Sequence, residues 1–268
     1  MPTLFSLSFS TIFRSLSVLA LWLCISALQA TELNDTGVTF CGDETTKTAQ
    51  CLTVSSDGGT YPRQDARYGR DAKAAARKLE KAGSGSAGFD YTKIANNGTL
   101  LPVSAELGTG GTDWACTRDN VTGLVWEVKS TSGLRSQSHT YSWYNSNTAT
   151  NEGFAGNSSL GTCYKPGRCD TEKFTADVNT AKLCSFNDWR MPKLSELVSI
   201  VHYGRTNPAI DTDYFPNTPI DNFWSGSLVD YPGNSYGGTG VVLFDFGRVG
   251  TGSGRGNKFK VRLVRGQL

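Results

Sequence analysis

A chain of 268 residues with a formal charge of +2 can bury a sizeable core, as one or two domains, and offers no global polycation for nucleic acid. Hydrophobic residues make up 38% and glycines number 30, which disfavours a helical bundle and favours a loop-rich β or α+β protein. In chain order, the first feature is an uncharged apolar run over residues 15–29, preceded by Arg14 and closing on Ala30. It is short for a membrane span and ends in small residues, so residues 1–30 read as a signal peptide, with an uncleaved anchor as the alternative. Leu23 before Cys24 does not match a lipoprotein signal. The expectation is an exported protein of periplasm, cell surface or medium, with no stable membrane span once the signal is removed.

Removal of that segment leaves Cys41, Cys51, Cys116, Cys163, Cys169 and Cys184. An even number in an exported chain predicts disulfides, although six cysteines allow fifteen connectivities. Local loops suggest Cys41–Cys51 and Cys163–Cys169, which leaves Cys116–Cys184. Zinc is the rival, but no CxxC knuckle is present and the chain offers only His139 and His202, so no cofactor or metal is expected.

Residues 31–60 are polar and turn-rich. Residues 61–82 carry seven bases against three acids, and Asp71–Ala82 favours helix with Gly83 as a stop, predicting a solvated helix or, as the alternative, a polyanion-binding face. Gly83–Gly88 is a flexible joint, Phe89–Ile94 a short strand, and Leu107–Thr112 a second Gly/Thr-rich break. Residues 31–112 are therefore read as an N-terminal extension or subdomain, and 113–268 as the main domain.

Beyond the break, Asp119–Gly123 forms a turn, and Leu124, Trp126 and Val128 alternate with Val125, Glu127 and Lys129 as in a strand. Tyr141–Tyr144 is a second aromatic stretch. Cys169-Asp170-Thr171 supplies capping oxygens for a helix with Phe174, Val178 and Ala181 on its apolar side. Pro192 keeps Met191 extended. A second helix then places Leu194, Leu197, Val198 and Val201 on one face, with Gly204 as its stop and Phe223-Trp224 as an aromatic strand beyond. Val242, Phe244 and Phe246, and later Phe259, Val261 and Leu263, alternate with polar or smaller neighbours and predict a terminal hairpin. The sum is an α+β domain: an antiparallel sheet with two helices, loop-rich and disulfide-supported.

Asp119-Asn-Val-Thr-Gly-Leu-Val-Trp-Glu-Val-Lys129, Asp188-Trp-Arg-Met-Pro192, Glu196-Leu197, Phe223-Trp-Ser225 and Val261-Arg-Leu-Val-Arg-Gly266 resemble the Lcl C-terminal domain family. Tyr61-Pro62, Gln64-Asp65, Tyr68-Gly-Arg-Asp71 and Ser86-Ala-Gly-Phe-Asp90 resemble the N-terminal extension of some exported bacterial members. The resemblance implies a C-type-lectin-like fold related to formylglycine-generating enzymes. It also implies a bacterial envelope protein with adhesin-like binding of sulfated polysaccharides. Two positions depart from the family pattern. Lys193 stands where a threonine is usual and should cost a capping box, about 1 kcal/mol. Gly226 stands where a second serine follows the tryptophan.

No Gly-x-Ser-x-Gly, His-Glu-x-x-His, P-loop or dinucleotide motif is present, so no catalytic residues are expected. His202 is read as a surface histidine and His139 as a loop residue without a partner. Asp211 and Asp213 could bind calcium but more often close turns. From Gly247 onward the chain has six bases and no acids. Lys258, Lys260 and Arg262 would share one strand face, joined by Arg248 and Arg255, as a surface for a sulfated or other polyanionic glycan. An edge strand protected by charge is the bland alternative. The functional expectation is a non-enzymatic binding module for polyanionic or surface glycans. A structural or assembly protein binding another envelope protein is the alternative, and a formylglycine-generating-type oxidoreductase is the remaining one.

Overall fold

The central sheet separates two cores, and that explains why alternation alone describes its strands poorly. In the computed structural model, residues 34–48, 51, 60–229 and 238–266 are described; the expected signal segment, with Cys24, lies outside them. All belong to one compact unit, Thr31–Leu268. The central sheet has five strands: β3 (Tyr91–Ala95), β4 (Leu100–Leu101), β5 (Trp114–Asp119), β6 (Val125–Glu127) and β10 (Val264–Arg265), in the order β10-β6-β5-β3-β4. Successive side chains leave opposite faces, and both faces are covered. Ile94, Ala115, Cys116 and Val125 join one core with Trp143, Phe174, Trp189 and Trp224. Tyr91, Leu124 and Trp126 join the other with Leu197, Ile210, Phe215 and Phe223. All three residues of β6 are consequently buried, Glu127 included.

β3 comes from the upstream segment and sits between β5 and β4, with Tyr91 opposite Asp119 and Ile94 opposite Cys116. The boundary read at residues 112/113 thus falls between neighbouring strands of a single sheet. Two short strands, β1 (Cys41–Gly42) and β2 (Lys47–Thr48), form a separate ribbon.

The terminal hairpin differs from expectation. A second sheet is built from β7 (Asn222–Val229), β8 (Gly238–Leu243) and β9 (Arg248–Ser253), all antiparallel. β8 returns at once through a turn in which Asp245 accepts the Phe246 N–H and pairs with Arg248, while Gly247 supplies a positive φ of 74°. That turn leaves Phe246 55% exposed instead of buried beside Phe244. Residues 258–263 have no hairpin partner. They thread between elements through single bridges, Tyr141 with Phe259 and Phe223 with Lys260, before β10 pairs with β6.

The helices are shorter than their patterns. α1 (Asp65–Tyr68) precedes the expected Asp71–Ala82 helix, of which only the first part forms, as α2 (Arg70–Ala75), ending before Arg77 at φ 57°. Lys73, Arg77 and Lys78 are exposed, yet Asp71 is fully buried, so this is not simply a solvated segment. α3 (Thr171–Thr180) matches its reading: Asp170 accepts the Lys173 N–H at 2.8 Å, and Phe174 and Val178 are buried. α4 (Leu194–Val198) is only five residues, and the chain leaves it well before Gly204. The missing threonine is partly compensated there. Glu196 accepts the Lys193 N–H at 2.7 Å, and Ser227 reaches across from β7 to accept the Leu194 N–H at 2.9 Å. At the other departing position, the Gly226 N–H donates to Pro192 O at 2.7 Å with Met191 packed against it.

All six described cysteines are paired, as Cys41–Cys51, Cys163–Cys169 and Cys116–Cys184. The last joins β5 to the turn after α3 across 68 residues.

Candidate functional site

The five basic residues expected to form one face are dispersed. Lys258 is exposed. Arg248 is exposed but ion-paired to Asp245. Lys260 is mostly buried, donates to Ser138 O at 3.2 Å and lies 4.0 Å from Asp221. Arg255 is 2% exposed: its guanidinium covers the Trp143 ring at 4.6 Å and donates to the carbonyls of Asn151 and Phe154. Arg262 is fully buried, lying over Phe215 and donating to Glu127 O and Thr218 Oγ1 at 2.7 Å each. The expected shared face fails because residues 258–263 are not an edge strand. Nothing in the segment faces away from a core on alternate residues.

Of these, Arg262 belongs to a charged cluster inside the molecule, whereas Arg255 and Lys260 have partners elsewhere. Glu127 accepts from Lys129 Nζ at 2.8 Å and from the Leu263 N–H at 3.1 Å. Arg135 is nearly buried and donates to the carbonyls of Ala115 and Val128. One buried carboxylate thus stands among three bases, and loss of hydration dominates the titration of Lys129, Arg135 and Arg262. Burial pushes Lys129 down to about 8 and Arg262 down to about 10, with Glu127 opposing both shifts. The arrangement holds β6, residues 262–263 and the Phe215–Thr218 turn together; it presents nothing to solvent.

The other candidates are likewise structural. Asp211 is buried, accepts from Ser86 N and Oγ at 2.8 and 2.7 Å, and lies 3.4 Å from Arg205. It closes the 84–88 loop onto the main domain instead of facing a ligand beside the exposed Asp213. His202 is buried, contrary to the surface reading, and packs against Phe89 with ring centroids 5.3 Å apart. Burial lowers its pKa, helped by Arg205. His139 is half-buried, its Nδ1 3.3 Å from Leu134 O, and burial lowers its pKa also.

A cleft that the sequence did not announce lies over α4. It encloses about 710 Å³ and is lined by Asn34, Thr36, Leu194, Val198, Tyr203 and Val249 among others, with mainly apolar walls. Leu194 and Val198, from the apolar face that the spacing predicts for this helix, stay half-covered at the edge of the core, while Leu197, Ile200 and Val201 go inside. Tyr203 and Val249 remain 42% and 46% exposed at its mouth. Ser195 and Ser199 supply polar groups at the rim. The volume and the mix of apolar wall and few polar groups are those of small-ligand sites. A smaller, more polar cavity of about 430 Å³ lies beside Ser84, Ser86, Lys93 and Tyr214.

One wall of the cleft, residues 34–36, is held by polar contacts of long sequence range. Asn34 donates to Asp119 at 2.6 Å, and the Tyr203 N–H donates to Thr36 O at 2.8 Å. Burial pushes the Asp119 carboxyl up to about 6 against the hydrogen bonds from Thr122 and Val121. Asp35 is nearly buried, and burial with the adjoining Asp71 pushes its carboxyl up to about 8. Residues 34–36 lie in a stretch whose composition reads only as polar and turn-rich, so nothing local marked them.

Comparison with known proteins yields one match: the family model described as the Lcl C-terminal domain covers residues 115–265. No curated protein and no solved structure matches the chain.

Proposed function

Because the chain belongs to the Lcl C-terminal domain family, we propose that it is an exported, non-enzymatic binding module that recognises a surface glycan in the cleft over α4. The observation that carries this reading is the cleft itself: apolar walls from Leu194, Val198 and Val249, the Tyr203 ring at the mouth, and hydroxyls at the rim. Flat apolar surfaces beside hydroxyl groups suit sugar rings, which offer C–H faces and O–H edges. Three disulfides are compatible with an exported protein, and no described helix is long and apolar enough to cross a membrane. The pairing of all six described cysteines argues against the oxidoreductase alternative, which needs free thiols. The polyanion version loses most of its support, since Arg255 and Arg262 are inside and Arg248 is paired.

The test is binding of the oxidised protein to an array of neutral and sulfated surface polysaccharides at rising salt. The expected result is binding that survives about 0.5 M salt, where screening beyond about 3–4 Å removes attraction between exposed charges, and that falls at least tenfold in Val249→Asp and Tyr203→Ala. Unchanged binding in both variants overturns the cleft assignment. Binding abolished at physiological salt returns the polyanion reading. The assembly-protein alternative draws on the exposed Tyr203, Phe246 and Val249. It is favoured if every polysaccharide fails while Val249→Asp abolishes capture of a specific envelope protein.

A further inference from the structure

We propose that Asp35, Asp65 and Asp71 form a calcium site that fastens residues 34–36 to α1 and α2. One carboxylate oxygen from each lies within 4.8 Å of the other two. Oxygens that share a calcium ion at about 2.3–2.6 Å are separated by up to about 5 Å. Acidic residues gather on many surfaces without an ion, but this group is not on the surface: Asp71 is fully buried and Asp35 is 8% exposed.

Asp35 supplies the independent indication. Its Oδ1 accepts the Thr36 N–H at 2.9 Å, whereas Oδ2 is buried with no hydrogen-bond partner. That oxygen sits against the Cα of Gly88, where an added Cβ would overlap it, and beside the Asp71 carboxylate. Asp71 Oδ1 already accepts the Gly88 N–H at 2.8 Å, which leaves its Oδ2 on the Thr36 side, 3.4 Å from that hydroxyl. The same Thr36 hydroxyl donates to Asp65 Oδ2. Three carboxylates and one hydroxyl therefore converge, and among the described residues none of the three is in an ion pair. A carboxyl buried without donor or counter-ion is costly unless it holds a proton, and a cation among the three removes that cost without one. The donors are all hard oxygens, with no thiolate or imidazole, which selects calcium or magnesium over transition metals. The wide spacing suits the larger ion, because magnesium demands near-octahedral geometry at about 2.0–2.1 Å. Asp65 is half-exposed and gives the ion its way in.

The site stands apart from the identity of any glycan, because it is measured without one. It does, however, join the cleft: Asn34, Asp35 and Thr36 line that cavity, so the ion would fix one of its walls.

The experiment is calorimetric titration of the chelator-treated, oxidised protein with calcium chloride and, separately, magnesium chloride, alongside thermal unfolding. We expect one calcium per chain, weaker magnesium, and a Tm rise of about 5 °C or more at a hundredfold excess over Kd. Asp65→Asn, at a half-exposed position, should weaken calcium at least tenfold and remove the Tm rise, while its chelator-treated Tm stays close to that of the unsubstituted protein. Absence of both heat and Tm shift at about 5 mM calcium, above the range of weak extracellular sites, overturns the proposal if near-UV circular dichroism shows a folded chain. Calcium affinity unchanged in both Asp65→Asn and Asp35→Asn overturns it as well.

Discussion

The C-terminal basic segment and the N-terminal segment with α1 and α2 both have the composition of charged surface, and each sends some of its charges inward. They differ in how those charges are satisfied. Arg255 and Arg262 enter beneath aromatic rings and donate to carbonyls and a hydroxyl. A guanidinium tolerates this, because its delocalised charge is weakly hydrated and its flat face stacks. Asp35, Asp65 and Asp71 enter together and face one another. Carboxylates only accept, so their mutual approach requires a proton or a cation. Net charge of a segment therefore says little about exposure; what decides is whether the rest of the chain supplies the complementary groups.

Substitution within the basic segment should break the comparison most visibly. Arg262→Ala strands Glu127 O and Thr218 and opens a hole beneath Phe215, for an expected loss of about 3–5 kcal/mol in denaturant unfolding, whereas Lys258→Ala should stay within about 0.5 kcal/mol. Equal effects at the two positions would return residues 258–262 to a surface strand. A second, smaller effect is in pH. Lys129 is held at about 8 in the fold against 10.5 when exposed. Between those values the unfolded chain binds more protons, so this group makes stability rise with pH over roughly pH 8 to 10.5, by up to a few kcal/mol at about 1.4 per unit. Lys129→Met should lack that rise, and the gap between the two proteins should move in favour of the unsubstituted chain across the window. A parallel pH dependence would contradict a buried, charged lysine. The smallest effect belongs to α4: Ser227→Ala removes the acceptor that replaces the family threonine and should cost about 1 kcal/mol. No loss would mean that Glu196 alone caps the helix.

Legibility followed range. Asp170 with Phe174 and Val178 sufficed to read α3, because cap and apolar positions lie within ten residues of one another. Cys41–Cys51 and Cys163–Cys169 were readable as local loops, and they fixed the remaining pair. The basic stripe misled because alternation presumes a strand with one free face, while Arg262 finds its partners 135 and 44 residues away. The rescue of α4 by Ser227, 33 residues on, was equally out of sight. The cleft lies where Leu194 and Val198 stay half-covered although they share an apolar face with the buried Leu197, and an apolar face encodes neither helix length nor which of its members a neighbour covers. The acidic group assembles from positions 35, 65 and 71; the last two lie in the stretches that resemble the family's extension, but position 35, some thirty residues upstream, lies outside them.

The place of β3 has a practical consequence for anyone wishing to cut the molecule down. The family match begins at residue 115, inside β5, yet β5 is zipped to β3 along its other side. A fragment trimmed to the matched residues would bare a whole row of backbone donors and acceptors on β5. It would also remove Phe89 and Tyr91 from the core they share with Trp126 and Phe215. Such an open edge invites other chains to add on. The natural unit for expression therefore starts well upstream of the homology, and insolubility of a shorter fragment would report the missing strand and not a defect of the domain.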